Sequence, residues 1–141
     1  MKNKTIILSI HPRHVDRIMS GEKLYEYRKR VPVDIKYLVV YATAPVKKIV
    51  AFIEIDSVLK NTPQYIWENT QEYAGISYEF FMEYYRGKTE AYAIKFHHIY
   101  KLPTPVDIAT INGINSAPQA YSYINESCDD LFNKFGITSP L

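Results

Sequence analysis

The sequence predicts an α+β domain of about five to six strands with three to four short helices between them. Three observations carry that reading. The 141 residues suit one domain, residues 1–141. Runs rich in β-branched and aromatic residues recur along the chain, each bounded by Pro, Gly or a charged cluster. Between them lie stretches of helical spacing that open on Pro, Ser or Thr and close on Gly.

Residues 4–10 are β-branched and apolar and stop at His11-Pro12, which predicts a strand buried on both faces. Pro12 suits a first helical position, where a missing N–H loses nothing. Val15, Ile18 and Met19 follow at helical spacing, and Gly21 stands where a C-terminal cap belongs, so residues 12–20 read as a short helix. Residues 24–30 alternate as a strand, with Leu24, Glu26 and Arg28 on one face and Tyr25, Tyr27 and Lys29 on the other. Val31-Pro32-Val33 breaks that pattern. Residues 37–43 give a strong strand signal that Ala44-Pro45 ends. From 48 to 59, Ile49, Ala51, Ile53 and Ile55 alternate with Val50, Phe52, Glu54 and Asp56, as in a long, mostly buried strand. Thr62-Pro63, a capping hydroxyl followed by proline, starts a helix that carries Ile66 and Trp67 and ends near Thr70. Ser77 caps a third helix, whose wide apolar face is Phe80, Phe81, Tyr84 and Tyr85 and whose stop is Gly87. Residues 91–100 are another strand, with Tyr92, Ile94, Phe96 and His98 on one face. Pro103, Pro105, Gly113 and Pro118 mark a long irregular segment, and 121–124 a short strand. Residues 126–135 form a terminal helix stopped by Gly136, and 138–141 read as a loose tail.

Composition excludes several classes. The single cysteine, Cys128, forms no internal disulfide and no multi-cysteine metal site, which fits a reducing cytoplasm. No apolar run approaches the ~18 residues of a membrane span, and the run after Lys4 is too short for a secretory signal. There is no glycine-rich phosphate loop, dinucleotide fingerprint, nucleophile elbow or zinc-ligand spacing. His97 and His98 are adjacent on a strand and point to opposite faces, so they do not share a metal. No metal and no cofactor are expected, and the sequence sets no oligomeric state. Charge is unevenly spread. Residues 1–48 carry 11 Lys/Arg against 4 Asp/Glu, and the remainder 6 against 11. That asymmetry suggests an anionic partner for the basic part, unless the two parts interleave on folding.

The densest charge lies in Gly21-Glu22-Lys23-Leu24-Tyr25-Glu26-Tyr27-Arg28-Lys29-Arg30. Glu26 and Arg28 are same-face neighbours, about 6.6 Å apart along a strand. If the tyrosine face is core, this pair is exposed and contributes ~0–1 kcal/mol. If the Leu24 face lines a cleft, the pair is desolvated and needs partners. Spacing alone favours the solvated edge. Lys23 sits at the strand mouth, and a Lys, a Glu and an Arg together supply a base or acceptor, an acid and an anion clamp. Arg13 and His14 occupy the first helical turn, behind His11, where cations oppose the helix dipole by about 0.3–1 kcal/mol each. A helix start with basic side chains suits an anion, though exposed charge is also tolerated there. Tyr25 and Tyr27, interleaved with Lys23, Arg28, Lys29 and Arg30, are the best base-stacking candidates among 13 tyrosines that mostly belong to core and rim.

Ser9-Ile10-His11-Pro12, a short helix, then Gly21-x-Lys23-x-x-Glu26-x-Arg28 resembles the ASCH domain family. Tyr41-Ala42-Thr43-Ala44-Pro45, the helical pair near Trp67 and Phe80, and Pro118-Gln119-x-Tyr121 extend the resemblance over most of the chain. The resemblance implies a PUA-like mixed β-barrel with helices in the crossovers and a cleft beside the first helix that is proposed to bind RNA. It implies Lys23, Glu26 and Arg28 as ligand-binding residues, with Ser9 and Arg13 nearby, and the stacking argument adds Tyr25. Some relatives are hydrolases: small amidohydrolases acting on acylated cytidine, and a ribonuclease-like type. In the amidohydrolase pattern a threonine three positions after the lysine attacks the amide. Here that position is Glu26, and a carboxylate is a poor substitute for a hydroxyl nucleophile, which counts against that activity. In an enzyme, Lys23 would be the base, Glu26 would orient it or shuttle a proton, and Glu79 or Glu83 would be the downstream glutamate. The expectation is a cytoplasmic RNA- or nucleotide-binding domain, with RNA or nucleotide as partner and no membrane. The alternatives are a small hydrolase of a modified nucleoside or RNA and a protein-interaction or transcription-related regulatory domain.

Overall fold

Side chains that cap helices set where each one begins. In the computed structural model, which describes residues 4–138, the strands are β1 (Thr5–Ile10), β2 (Tyr25–Arg28), β3 (Tyr37–Ala42), β4 (Lys48–Asn61), β5 (Ala91–Val106) and β6 (Tyr121–Ile124). The helices are α1 (Pro12–Met19), α2 (Pro63–Thr70), α3 (Tyr78–Tyr84) and α4 (Cys128–Phe135), with 3₁₀ turns at Gln71–Tyr73 and Ile108–Thr110. Residues 139–141 of the expected tail lie outside the described residues. His11 Nδ1 accepts the Arg13 N–H at 3.1 Å, Thr62 Oγ1 the Tyr65 N–H at 3.2 Å, and Ser77 Oγ the Phe80 N–H at 3.1 Å. Each bond satisfies one of the free donors at a helix start.

The six strands form one curled half-barrel in the order β2-β5-β4-β3-β1-β6. β1 and β3 are parallel, with Leu8 opposite Val40, and the other neighbours are antiparallel. β1 is buried on both faces, as its sequence predicts. Ile6, Leu8 and Ile10 pack with Leu38, Val40, Ile53 and Ile94 and with Val15 and Ile18 of α1. Ile7 turns to the opposite face with Val39, Phe52, Leu131 and Phe135 beneath α4. A third cluster joins Tyr27, Ala91 and Ala93 to Ile66 of α2 and to Phe81 and Tyr85. Burying each such Leu, Ile or Phe contributes roughly 1.5–3 kcal/mol.

Two strands depart from their sequence patterns. β4 does not alternate cleanly, because its register slips between Ile49 and Ala51 and again around Ile55. Ile49 therefore shares a cluster with Phe52, while Ala51, Ile53 and Ile55 face the other way. β5 runs on to Val106, through two prolines expected to be irregular. The prolines are tolerated because the ladder is interrupted there: Lys101 pairs with Ala51 and the next pair is Val106 with Ile49. His97 and His98 are both exposed. Among the described residues no helix is long and apolar enough to cross a membrane.

Candidate functional site

Behind α1 the chain must turn sharply, and Gly21 does so at φ +86°. The Lys23 N–H then donates to the Arg17 carbonyl at 3.0 Å and the Leu24 N–H to the Tyr73 carbonyl at 2.9 Å. This holds Lys23 between the end of α1 and the 3₁₀ turn. Its side chain is 2% exposed. The stem lies against Gly75, where an added Cβ would stand 2.5 Å from Lys23 Cβ. Lys23 Nζ donates to the Ala74 carbonyl at 3.0 Å, lies 4.7 Å from the centre of the Tyr27 ring and is 3.9 Å from Glu26 Oε1. Burial is the largest influence on Lys23 and holds its pKa below the usual lysine range, against the opposing pull of Glu26.

Glu26 projects from the same strand face as Arg28. Its Oε2 accepts from Arg28 Nε at 3.0 Å and lies 3.0 Å from Arg28 Nη2. Arg28 Nη2 also donates to the Ser9 carbonyl at 2.8 Å, which reaches from β2 to β1. The Ser9 hydroxyl is committed to the Pro118 carbonyl at 2.9 Å. The expectation of a solvated strand edge is thus corrected: Glu26 is 7% exposed. Both faces of β2 are covered, the Tyr27 face by α2 and α3 and the Glu26 face by the walls of a cleft.

The cleft has a volume of about 210 Å³. Lys23, Glu26, Tyr27 and Arg28 line it together with Ser9, Ile10, His11 and His14 from the β1–α1 junction and Ile76, Phe80 and Tyr84 from α3 and its approach. The His14 and Phe80 rings meet edge to face at 5.6 Å. Burial first, then the nearby Lys23 charge, lowers the His14 pKa to about 4, so the imidazole is neutral at pH 7. Its Nδ1 is buried without a hydrogen-bond partner among the described residues. Burial also raises the Tyr84 phenol above its usual range.

Ser9, Lys23, Glu26 and Arg28 therefore converge, as the sequence motif grouped them. Arg13 does not line the cleft. It is exposed, lies 5.7 Å from the Phe80 ring centre and lines an adjoining depression. Tyr25 stacks on Tyr27 at 6.4 Å within the cluster under α2 and α3 and does not line the cleft. Glu79 and Glu83 are both exposed on α3, away from the cleft lining, and Glu83 is paired with Arg86. Sequence reasoning missed His14, Phe80 and Tyr84 as cleft residues. The available signal was the i, i+4 spacing of Phe80 and Tyr84, which also describes a core stripe. Among the described residues no three His, Cys, Asp or Glu side chains gather as a metal set.

The chain is 28% identical over 123 residues to the large ribosomal subunit protein uL22 of Ureaplasma parvum serovar 3, covering 86% of this chain and 39% of that protein. It is 23% identical over 130 residues to an ASCH domain-containing ribonuclease of Zymomonas mobilis subsp. mobilis, covering 87% and 86%. The chain thus spans well under half of the first relative and most of the second. The crystal structure of ASCH from Zymomonas mobilis superposes with a TM-score of 0.81 at 22% identity, over 93% of this chain and 92% of that one. No family model matches. The chain has the PUA-like ASCH fold, as its motif implied.

Proposed function

We propose that this ASCH-fold protein binds RNA, seating one nucleotide in the cleft between α1, β2 and α3. One observation carries the reading: a buried lysine and carboxylate and a part-buried arginine line one hollow with an imidazole and aromatic rings. Phe80 and Tyr84 offer ring faces on which a base stacks, and Arg28 and Lys23 offer donors to phosphate, sugar or base edges. The volume of about 210 Å³ lies below the roughly 300–1,000 Å³ of sites for drug-sized ligands. It suits one extruded nucleotide rather than a duplex. The name of one relative matched over most of its length, a ribonuclease, supports RNA as the ligand class. The lone cysteine is in keeping with a cytoplasmic setting.

The test is anisotropy of labelled single-stranded RNA across 50–200 mM salt. Affinity is expected to fall as salt rises, with a logarithmic slope of about −0.7 per neutralised phosphate. Tyr84→Ala is expected to weaken binding by about 1–3 kcal/mol, the range for one stacked base. A salt-independent affinity, or one that Tyr84→Ala leaves intact, overturns the reading.

A second reading, RNA hydrolysis, is favoured by one further observation. The cleft holds two bases, Lys23 and His14, that release protons more readily than in water. Short RNAs incubated with wild type and with Lys23→Met decide it, and identical cleavage traces for the two proteins end it.

A further inference from the structure

Beside the cleft lies a second depression of about 230 Å³. Arg13 and Arg17 of α1 and Ser77 at the start of α3 line it, and it shares His14, Ile76 and Phe80 with the cleft. The two hollows are therefore neighbours across the His14–Phe80 contact. Arg13 and Arg17 are four residues apart on a helix, so their side chains stand on one face. Asp16 lies elsewhere, in a groove with Val15 and Met19. None of the six lining residues is acidic.

The charge in this depression is uncompensated. Several cations elsewhere have carboxylate partners, as in Lys4–Asp34, Arg28–Glu26 and Lys134–Glu126, and others, such as Lys29, Lys95 and Lys101, have none among the described residues. Among the described residues neither Arg13 nor Arg17 forms such an ion pair. Arg17 donates Nη1 to the Gly75 carbonyl at 2.6 Å, which fixes the guanidinium and leaves its other N–H groups free of that bond. Arg13 lies over the ring of Phe80, a residue 44% exposed that lines both hollows. Two adjacent guanidinium groups repel each other unless an anion sits between them, and their planar forks match phosphate oxygens.

We infer that the second depression holds the phosphate joining the nucleotide in the cleft to its neighbour, so that the ligand is single-stranded RNA of two or more nucleotides rather than a free nucleoside. This rests on the cleft being an RNA site. A base in one hollow and its phosphate in the next requires an unstacked strand, which a duplex does not offer. The strand runs along α1 past Phe80. The next hollow in that direction contains Arg17 but also Glu22 and Glu72, which repel a further phosphate. The gain in affinity with length therefore levels off after a few nucleotides on that side.

The experiment compares uridine, cytidine and adenosine with their dinucleotides and tetranucleotides by calorimetry at low salt. The proteins are wild type, Arg13→Ala and Tyr84→Ala, each checked for folding by its thermal melt. Arg13→Ala is expected to weaken dinucleotide binding about tenfold, the loss of one charge-assisted contact. It weakens nucleoside binding far less than dinucleotide binding and makes the salt slope for the dinucleotide shallower by about 0.7. If Tyr84→Ala weakens dinucleotide binding while Arg13→Ala matches wild type in affinity and slope, the phosphate site is overturned and the RNA cleft stands. If wild type binds no RNA at low salt, the cleft reading fails and takes this inference with it.

Discussion

His14 shows at the scale of one residue how burial makes an ionisable group informative. Its folded pKa of about 4 lies below the ordinary value of 6.5. Between those two values the unfolded chain binds a proton that the folded chain does not, so stability rises with pH across the window. The contribution is complete above pH 6.5 and is lost as pH falls toward 4. Urea midpoints recorded from pH 7 to pH 4 should therefore fall more steeply for wild type than for His14→Leu, which removes this titration while the carboxylates still titrate in both. Parallel curves would show that His14 titrates normally. Lys23 follows the same sign at alkaline pH. Burial lowers its pKa, so stability rises as pH climbs from that lowered value toward 10.5. Neither environment is visible in the sequence. Arg13-His14 reads there as exposed charge at a helix start, and Phe80, which covers His14, comes more than sixty residues later.

At the scale of elements, the loop between the 3₁₀ turn and α3 determines where Lys23 lies. Gly75 has φ +70°, and a Cβ there would meet Lys23 Cβ at 2.5 Å and Cγ at 2.8 Å. Gly21 has φ +86° but opens onto free space. Alanine at either position incurs backbone strain of about 1–3 kcal/mol. Only Gly75→Ala adds the collision, which falls on the part of Lys23 nearest the backbone and is not relieved by rotating the amine. Chemical denaturation should thus show Gly75→Ala to be the less stable of the two, and only Gly75→Ala should weaken RNA binding beyond its stability loss. Equal effects would mean that Lys23 is not held by this loop. The helix starts at Pro12, Thr62-Pro63 and Ser77 were legible because caps are local chemistry. So was the alternation of β2. What covers each face of β2 was not, since Phe81, Tyr85 and Phe80 arrive from α3, some fifty residues on. The slips in β4 were hidden for a related reason: Ile49 and Ala51 are both apolar, and only pairing with β5 separates their faces.

At the scale of the molecule, the half-barrel ends at β2, whose ladder partner is β5. Arg28 connects this terminal strand to the Ser9 carbonyl of β1, four places away in the sheet order, and also donates to Oε2 of Glu26. Replacing Arg28 by Met removes the link and leaves Glu26 charged, buried and 3.9 Å from its remaining cation, Lys23. Breaking a buried pair on one side costs about 3–5 kcal/mol, because the surviving charge has lost its compensation. Removing both charges spares Glu26 that penalty, while Lys23, left without its counter-ion, releases its proton more readily. Glu26→Gln with Arg28→Met should therefore recover much of the loss, and a double-mutant cycle in urea should show a coupling of about 1–3 kcal/mol. The double variant should regain stability but not RNA affinity, since the cleft keeps its shape and loses a cation. Additive single effects would mean that Arg28 and Glu26 are solvated separately and that the half-barrel is held by its apolar faces alone. Stability and affinity recovered together would mean that the guanidinium takes no part in holding the ligand.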